Sequence, residues 1–489
     1  MKDRDQFGID PYEYAEPLDV HRWSDHPEVD VLLDRLTADH LPGYKARHGR
    51  VRDYDKNSAR RSLKILLLDL YVRWRKDPLL WTGIPQTPRT YKKGRYQLLH
   101  VTPKIIDVCA DAVTAGLLEY WTFKNPGTGG VGYVSRYRPT EHLQGYFRLA
   151  QMTPDDLRVN PMSEVIILRD ADKKDIAYSD SRRTRSMRAE LRAWNDMIRG
   201  HHVDHCLLEE PVLKDEDGTV QSLIGQHRKQ LRRIFNNSSW QQGGRFYGGF
   251  WQNMPREERV YICIDGHRTV ELDYSSLHIS LLYNRIGQRL TKDAYAYEAS
   301  VVGPLRAHAK TLMLAMINAS TRRKAIYAAM EDIAAEDDER IRREYSYPEP
   351  AGIAERLADY HAPITQFLNS GIGIELQYVE SQIMAQVMKH FASRDRVALP
   401  VHDSIIVDIR DEAEADKVMG EAYRFITGYD CYDIDNDRSY FSEDMRTVLV
   451  DFEASCHPTV QFGEQRITNA DGYQRRLSNF MDRNSNPST

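Results

Sequence analysis

The chain has 489 residues, 41% of them apolar and 28% charged, and a formal charge of −5. That length predicts two or three globular domains with ample core. No apolar run reaches the roughly 20 residues of a membrane span, and the N-terminal stretch MKDRDQFGIDPYEY has no apolar signal core. Five scattered cysteines without zinc-knuckle spacing fit a reducing compartment, so a cytoplasmic protein with no membrane partner is expected.

Residues 1–50 read as polar and irregular. From Tyr44 to Lys104 there are 16 Lys/Arg against 4 Asp/Glu, a balance of +12, so the remainder sums to −17. Such a block is either a local phosphate-binding surface or a solvated helical face. Within it, NSARRSLKILLLDLYVRWRKDP (57–78) reads as an amphipathic helix ended by Asp77-Pro78. Thr102 and Pro103 open a second helix, with Ile106, Val108, Cys109, Val113 and Leu117 at roughly helical spacing. The period then shortens: LEYWTFK and VGYVSRYRP alternate as strands around NPGTGG.

This order of elements resembles a winged helix-turn-helix domain. The resemblance implies nucleic-acid contacts from the helix that Lys104 begins, from the loop basics Lys92, Lys93 and Arg95, and from the 125–130 hairpin.

VIILRDADKKDIAYSDS (165–181) reads as a hairpin, and the stretch from Arg182 to Cys206 as one long helix. Its terminal His201, His202, Asp204 and His205 match no zinc spacing and read as surface groups. Further on, TVELDY alternates as a strand and SSLHISLLYN takes helical spacing, which sets Asp273 at a strand-to-helix switch. LPVHDSIIVDI (399–409) reads as a buried hairpin with Asp403 at its tip, either a turn residue or a metal ligand. One Asp from each of two neighbouring strands can hold divalent ions that clamp the attacking and leaving oxygens of a phosphoryl transfer. Between them, Arg306, Lys310, Leu314 and Asn318 recur at i+4 and share a helix face; two exposed basic residues are the alternative to a triphosphate contact. The tail RRLSNFMDRNSNPST (475–489) reads as disordered at its end.

LDYSSLH, RAHAK and VHDS, in that order, resemble motifs A, B and C of family A polymerases, the group that includes single-subunit RNA polymerases. GGRFYGGFWQNMP (243–255) and ELQYVESQIMAQVM (375–388) resemble the segments before motifs A and C. The implied fold is α+β: a right-hand polymerase with an antiparallel palm sheet and helical fingers and thumb, behind an N-terminal winged helix. The implied division is an N-terminal segment 1–50, a winged helix 51–145, a connecting or thumb-like region 146–242, palm 243–300, fingers 301–370, palm 371–460 and tail 461–489.

By this resemblance Asp273, Asp403 and the carbonyl of Tyr274 would hold two Mg²⁺ ions, with Mn²⁺ an alternative. Lys310 would neutralise or protonate the leaving pyrophosphate, Arg306 would hold the γ-phosphate, and His402 would lie near the primer terminus. Arg245, Gln252, Asn253 and Gln377 would face template and primer.

The sequence departs from the DNA-polymerising pattern at His278, where a sugar-selecting Glu is usual. It departs again at Leu314 and Asn318, where aromatic residues are usual, and at Ser404 after the motif C Asp. Three functions follow: a DNA polymerase of a plasmid, phage or mobile element without proofreading; an RNA polymerase, primase-like or template-independent enzyme; or an inactive DNA-binding regulator. Expected partners are a DNA primer-template and nucleoside triphosphates.

Overall fold

The computed structural model describes residues 5–41, 44–45, 51–52, 58–91, 94–96, 101–122, 134–214, 218, 220–336, 350–436, 459–462 and 465–485. Lys92, Lys93 and the 125–130 hairpin lie outside them. No helix among the described residues is long and apolar enough to cross a membrane.

LKILLLDLY is too continuously apolar for a surface helix, and a helix that is apolar all round belongs inside. Accordingly the Ser58–Lys76 helix runs through the middle of an N-terminal core, with Leu63, Ile65, Leu66, Leu68, Leu70 and Tyr71 all buried. Even Asp69 is buried; it accepts hydrogen bonds from Arg73 (2.9 Å) and Arg22 (2.8 Å). The expected amphipathic face is therefore absent. The Lys104–Thr114 helix packs against it, and the strands Leu118–Trp121 and Ser135–Pro139 pair antiparallel as expected. They belong to a four-stranded sheet completed by Trp81–Ile84 and by Ala15–Pro17, which pairs in parallel.

Residues 1–50 are not irregular where they are described. Pro27–Asp39 is a helix that buries Val29, Leu32, Leu33 and Leu36, and the same core continues to Leu157. Several described cations of the basic block are paired with acids, most of them from outside the block. Arg60 pairs with Asp34 (2.7 Å), Lys76 with Glu16 (2.6 Å), Arg75 with Glu210 (3.2 Å), and Arg73 with Glu16 as well as Asp69.

A second, larger core begins at Ile166. Its central sheet has the order 203–205, 262–264, 267–274, 404–408, 398–401, antiparallel throughout, with Ile434–Asn436 added beside the end of His267–Tyr274. Near-continuous apolar runs such as SIIVD fit strands covered on both faces, and every residue of Ser404–Asp408 is buried. Helices Gly373–Ala392 and Glu412–Thr427 pack together here. The first also lies on a smaller sheet of Ile166–Leu168, Arg232–Phe235 and Gly243–Tyr247. Helices Gly303–Asn318, Arg322–Glu336 and Pro350–Tyr360 belong to the excursion between the strand that carries Asp273 and the hairpin whose turn carries Asp403.

Three local expectations fail. The 165–181 hairpin reduces to a single bridge, Arg169 to Asp175, because Ile166–Leu168 pairs in parallel with Arg232–Phe235 instead. The long helix stops at Met197, and Val203–His205 is an edge strand of the central sheet. His202 and His205 are thus buried rather than surface groups, since the helix Asp471–Ser485 covers that edge. The tail is helical over its described length, Tyr473 being 1% exposed and Arg476 bonding Asp204 at 2.7 Å, and its end, 486–489, lies outside the described residues.

Candidate active site

The strand His267–Tyr274 alternates, so Asp273 and Tyr274 point to opposite faces. Tyr274 points inward, its hydroxyl donating to the Met419 carbonyl at 2.6 Å. Asp273 takes the other face. In the antiparallel register it lies opposite Ser404, the residue after Asp403, and the Tyr274 amide donates to the Asp403 carbonyl at 3.4 Å. Asp403 sits in the two-residue turn between Ala398–Val401 and Ser404–Asp408. His402 in that turn takes φ 60°, a left-handed conformation costly for a residue with a Cβ.

Both carboxylates are half-buried and both are pushed above the ordinary range. For Asp273 the main cause is loss of water and the next is the charge of Asp403, with Lys310 opposing. For Asp403 it is loss of water, then Glu380, with Arg245 and His278 opposing. Asp273 Oδ1 has no hydrogen-bond partner among the described residues. A half-buried carboxylate oxygen left without a donor, beside a second acid, is a donor set suited to a divalent cation with oxygen preference.

A layer beneath holds this pair in place. Glu380, on Gly373–Ala392, is fully buried. It accepts two bonds from Arg245 (2.6 and 2.5 Å) and one contact from His278 Nε2 (2.9 Å). Ser404 Oγ donates to Glu271 at 2.5 Å, and Glu271 is gripped by both arms of Arg259 (2.8 and 3.0 Å). Ser404, the residue after Asp403, thus clamps the turn to the neighbouring strand.

The other candidate residues fall into three groups. Lys310 is exposed on Gly303–Asn318, near enough to Asp273 to stabilise its charge. Arg306, one turn earlier, is engaged by Asp293 (2.8 and 3.0 Å). Leu314 and Asn318 continue that face; the Asn318 side chain donates to the Leu314 carbonyl at 2.8 Å and fills the space left by Gly373. His402 Nδ1 has no hydrogen-bond partner among the described residues, and its ring contacts Tyr247 at 5.9 Å. Gln377 is half-buried one turn before Glu380, and Asn253 is exposed.

Three residues expected to face nucleic acid are spent internally. Arg245 is locked to Glu380. Gln252 donates to the carbonyls of Phe246 (2.9 Å) and Pro400 (3.0 Å) and accepts from Gly248. Arg95 bonds Glu164 (2.9 Å) and the Tyr178 carbonyl. Lys104 is half-buried at the start of its helix.

Sequence reasoning missed Glu380, Glu271 and Asp293. Glu380 alone left a signal: it shares the otherwise apolar face of Leu376, Ile383 and Val387.

No family model matches the chain, and no curated protein does. Solved structures do match, among them the POL domain of Pol1 from M. smegmatis in complex with DNA primer-template and dNTP. That match has a TM-score of 0.25 and 12% identity, and covers 83% of this chain and 68% of that one.

Proposed function

We propose that the protein is a template-directed nucleotidyltransferase, a DNA polymerase of the family A type whose palm is the central sheet. One observation carries the reading: two aspartates, 130 positions apart in sequence, are brought together by paired strands, one on its strand and one in the adjoining turn, and Asp273 Oδ1 has no hydrogen-bond partner among the described residues. Purely structural acids in such a position would be matched by donors.

Asp273 and Asp403 would hold the magnesium ions. When bound, those ions supply charge stabilisation on the attacking and leaving oxygens. The chain's own residues do the rest. The hairpin turn, pinned by Ser404 and Glu271, keeps Asp403 rigid against Asp273. Lys310 places a cation over the site where pyrophosphate leaves. Arg306 exchanges Asp293 for the γ-phosphate as the triphosphate enters, so the carboxylate parks the guanidinium between turnovers. His402 faces the primer's terminal phosphate. The primer 3′-hydroxyl attacks the α-phosphorus; the new O–P bond forms as the bond to the β-phosphate oxygen breaks. His278, with its ring fixed by Glu380, is a rigid wall where the sugar would lie, which favours deoxynucleotides.

The test is extension of a labelled primer on a DNA template with Mg²⁺, dNTPs and NTPs offered separately. Templated incorporation of dNTPs that an Asp403→Ala variant lacks is the expected result. No incorporation by the wild type, or equal incorporation by the variant, overturns the assignment. Preference for NTPs would move the enzyme to the RNA-synthesising alternative.

A further inference from the structure

Beside the turn that carries Asp403 lies a cavity of about 580 Å³, and of its lining only His402 has a part in the proposed reaction. One wall is His402, Tyr247 and Gln252. The opposite wall comes from the N-terminal core, where the short strand Arg22–Trp23 pairs with Arg158–Val159. Its volume matches one drug-sized molecule, within about 300–1,000 Å³, and is too small for a duplex.

Its charges are unbalanced. The four lining carboxylates, Asp19, Glu164, Asp175 and Asp196, are each engaged by an arginine. Arg192, Arg228 and Arg232 also line it and make no ion pair among the described residues. His227 lines it too, is 6% exposed, and has neither ring nitrogen hydrogen-bonded among the described residues. A buried imidazole with both nitrogens unsatisfied is costly unless something polar reaches it. Three guanidiniums without a carboxylate partner, one of them (Arg228) donating to the Leu223 carbonyl at 3.3 Å, offer forked donors that match phosphate oxygens.

We propose that this cavity is a second nucleotide site: it holds the 5′-phosphates of the first one or two nucleotides of a strand, with the 3′-hydroxyl directed past His402 toward Asp403. This rests on reading Asp273 and Asp403 as polymerase carboxylates. The site lets the enzyme begin from a nucleoside triphosphate or a 5′-phosphorylated dinucleotide. That 3′-hydroxyl loses its proton to solvent and attacks the α-phosphorus of the incoming nucleotide. One O–P bond forms, the bond to the β-phosphate oxygen breaks, and pyrophosphate leaves. The 5′-phosphates stay on the product.

The experiment compares full-length wild type with an Arg192→Gln/Arg228→Gln/Arg232→Gln variant. On a poly(dA) template with dTTP, the primers are thymidine dinucleotides bearing a 5′-triphosphate, a 5′-monophosphate or a 5′-hydroxyl, and a 20-nucleotide oligo(dT). A further arm offers dTTP without primer, which separates a free triphosphate from a strand end as the natural occupant. Dissociation constants of the dinucleotides are measured without Mg²⁺. The expected result is a tenfold or greater rise in KM and Kd for 5′-phosphorylated dinucleotides in the variant, with use of the 20-nucleotide primer within twofold of wild type. Equal use of 5′-hydroxyl and 5′-phosphate dinucleotides by the wild type overturns the proposal. So does an equal loss on the long primer. If the wild type extends nothing, the polymerase reading fails, and the Kd comparison alone decides whether the cavity binds nucleotides. Should the triple variant melt early, exposed Arg232→Gln alone is read by the same criteria.

Discussion

Glu380→Gln probes the layer beneath the aspartates. The wild-type carboxylate receives two bonds from Arg245 and one from His278, and none of its surface meets water. The amide keeps the shape but not the charge, and its NH₂ must point at Arg245 or His278. Removing one partner of a buried pair while leaving the other costs about 3–5 kcal/mol. If the larger core, about 260 residues from Ile166 onward, unfolds as one unit, its unfolding entropy is about 0.55 kcal/mol/K and the melting temperature falls by about 5–9 °C. Calorimetry on the metal-free protein reads this directly. Adding Arg245→Met removes the stranded cation, so the double variant should recover at least half of the loss. A Glu380→Gln protein that melts with the wild type, or a double variant that melts at the sum of the two single losses, would refute the coupling.

Asp273→Asn and Asp403→Asn should each lower primer extension by about three decades, the several kcal/mol that charge stabilisation supplies. In chelator neither variant should melt below wild type, because each relieves a costly carboxylate. Burial holds His202 at about 3 and His205 at about 4, against an ordinary 6.5, so below pH 6.5 the unfolded chain takes up protons that the folded chain refuses. Asp204, raised by burial to about 6, works the other way. The net loss between pH 6.5 and 4 is on the order of 4 kcal/mol. Urea titrations should show it, and His202→Phe/His205→Phe should flatten the slope. A Cβ at Gly472 would lie 1.9 Å from the Glu209 carbonyl oxygen. Gly472→Ala should therefore release the Asp471–Ser485 helix to limited proteolysis while leaving the melting of the N-terminal core unchanged.

What the sequence disclosed follows from range. The Asp273 strand and the Asp403 turn were legible because period-two alternation and a polar break are local signals, and the structure pairs them residue by residue. The Pro27–Asp39 helix was equally legible, with Val29, Leu32, Leu33 and Leu36 at helical spacing, and was simply passed over. The fate of the basic block was not. Arg95 meets Glu164, 69 positions on, and Arg75 meets Glu210, 135 positions on, so no window of sequence could show those charges cancelled. The histidines at 201–205 misled for the same reason: the strand and helix that enclose them lie far downstream. At positions 273 and 403, period and a polar break sufficed to place the strand and the turn.

The clasp between Arg476 and Asp204 joins segments 272 positions apart. A ribosome delivers the first long before the second. Until residue 476 has emerged, the rim strand at 203–205 waits with two imidazoles and a carboxylate uncovered, while the halves carrying Asp273 and Asp403 are already able to meet. Maturation thus has two separable moments, pairing of the central strands and later sealing of the flank. A chain cut short between them would leave that edge wet, with both imidazoles free to take up protons in the ordinary histidine range.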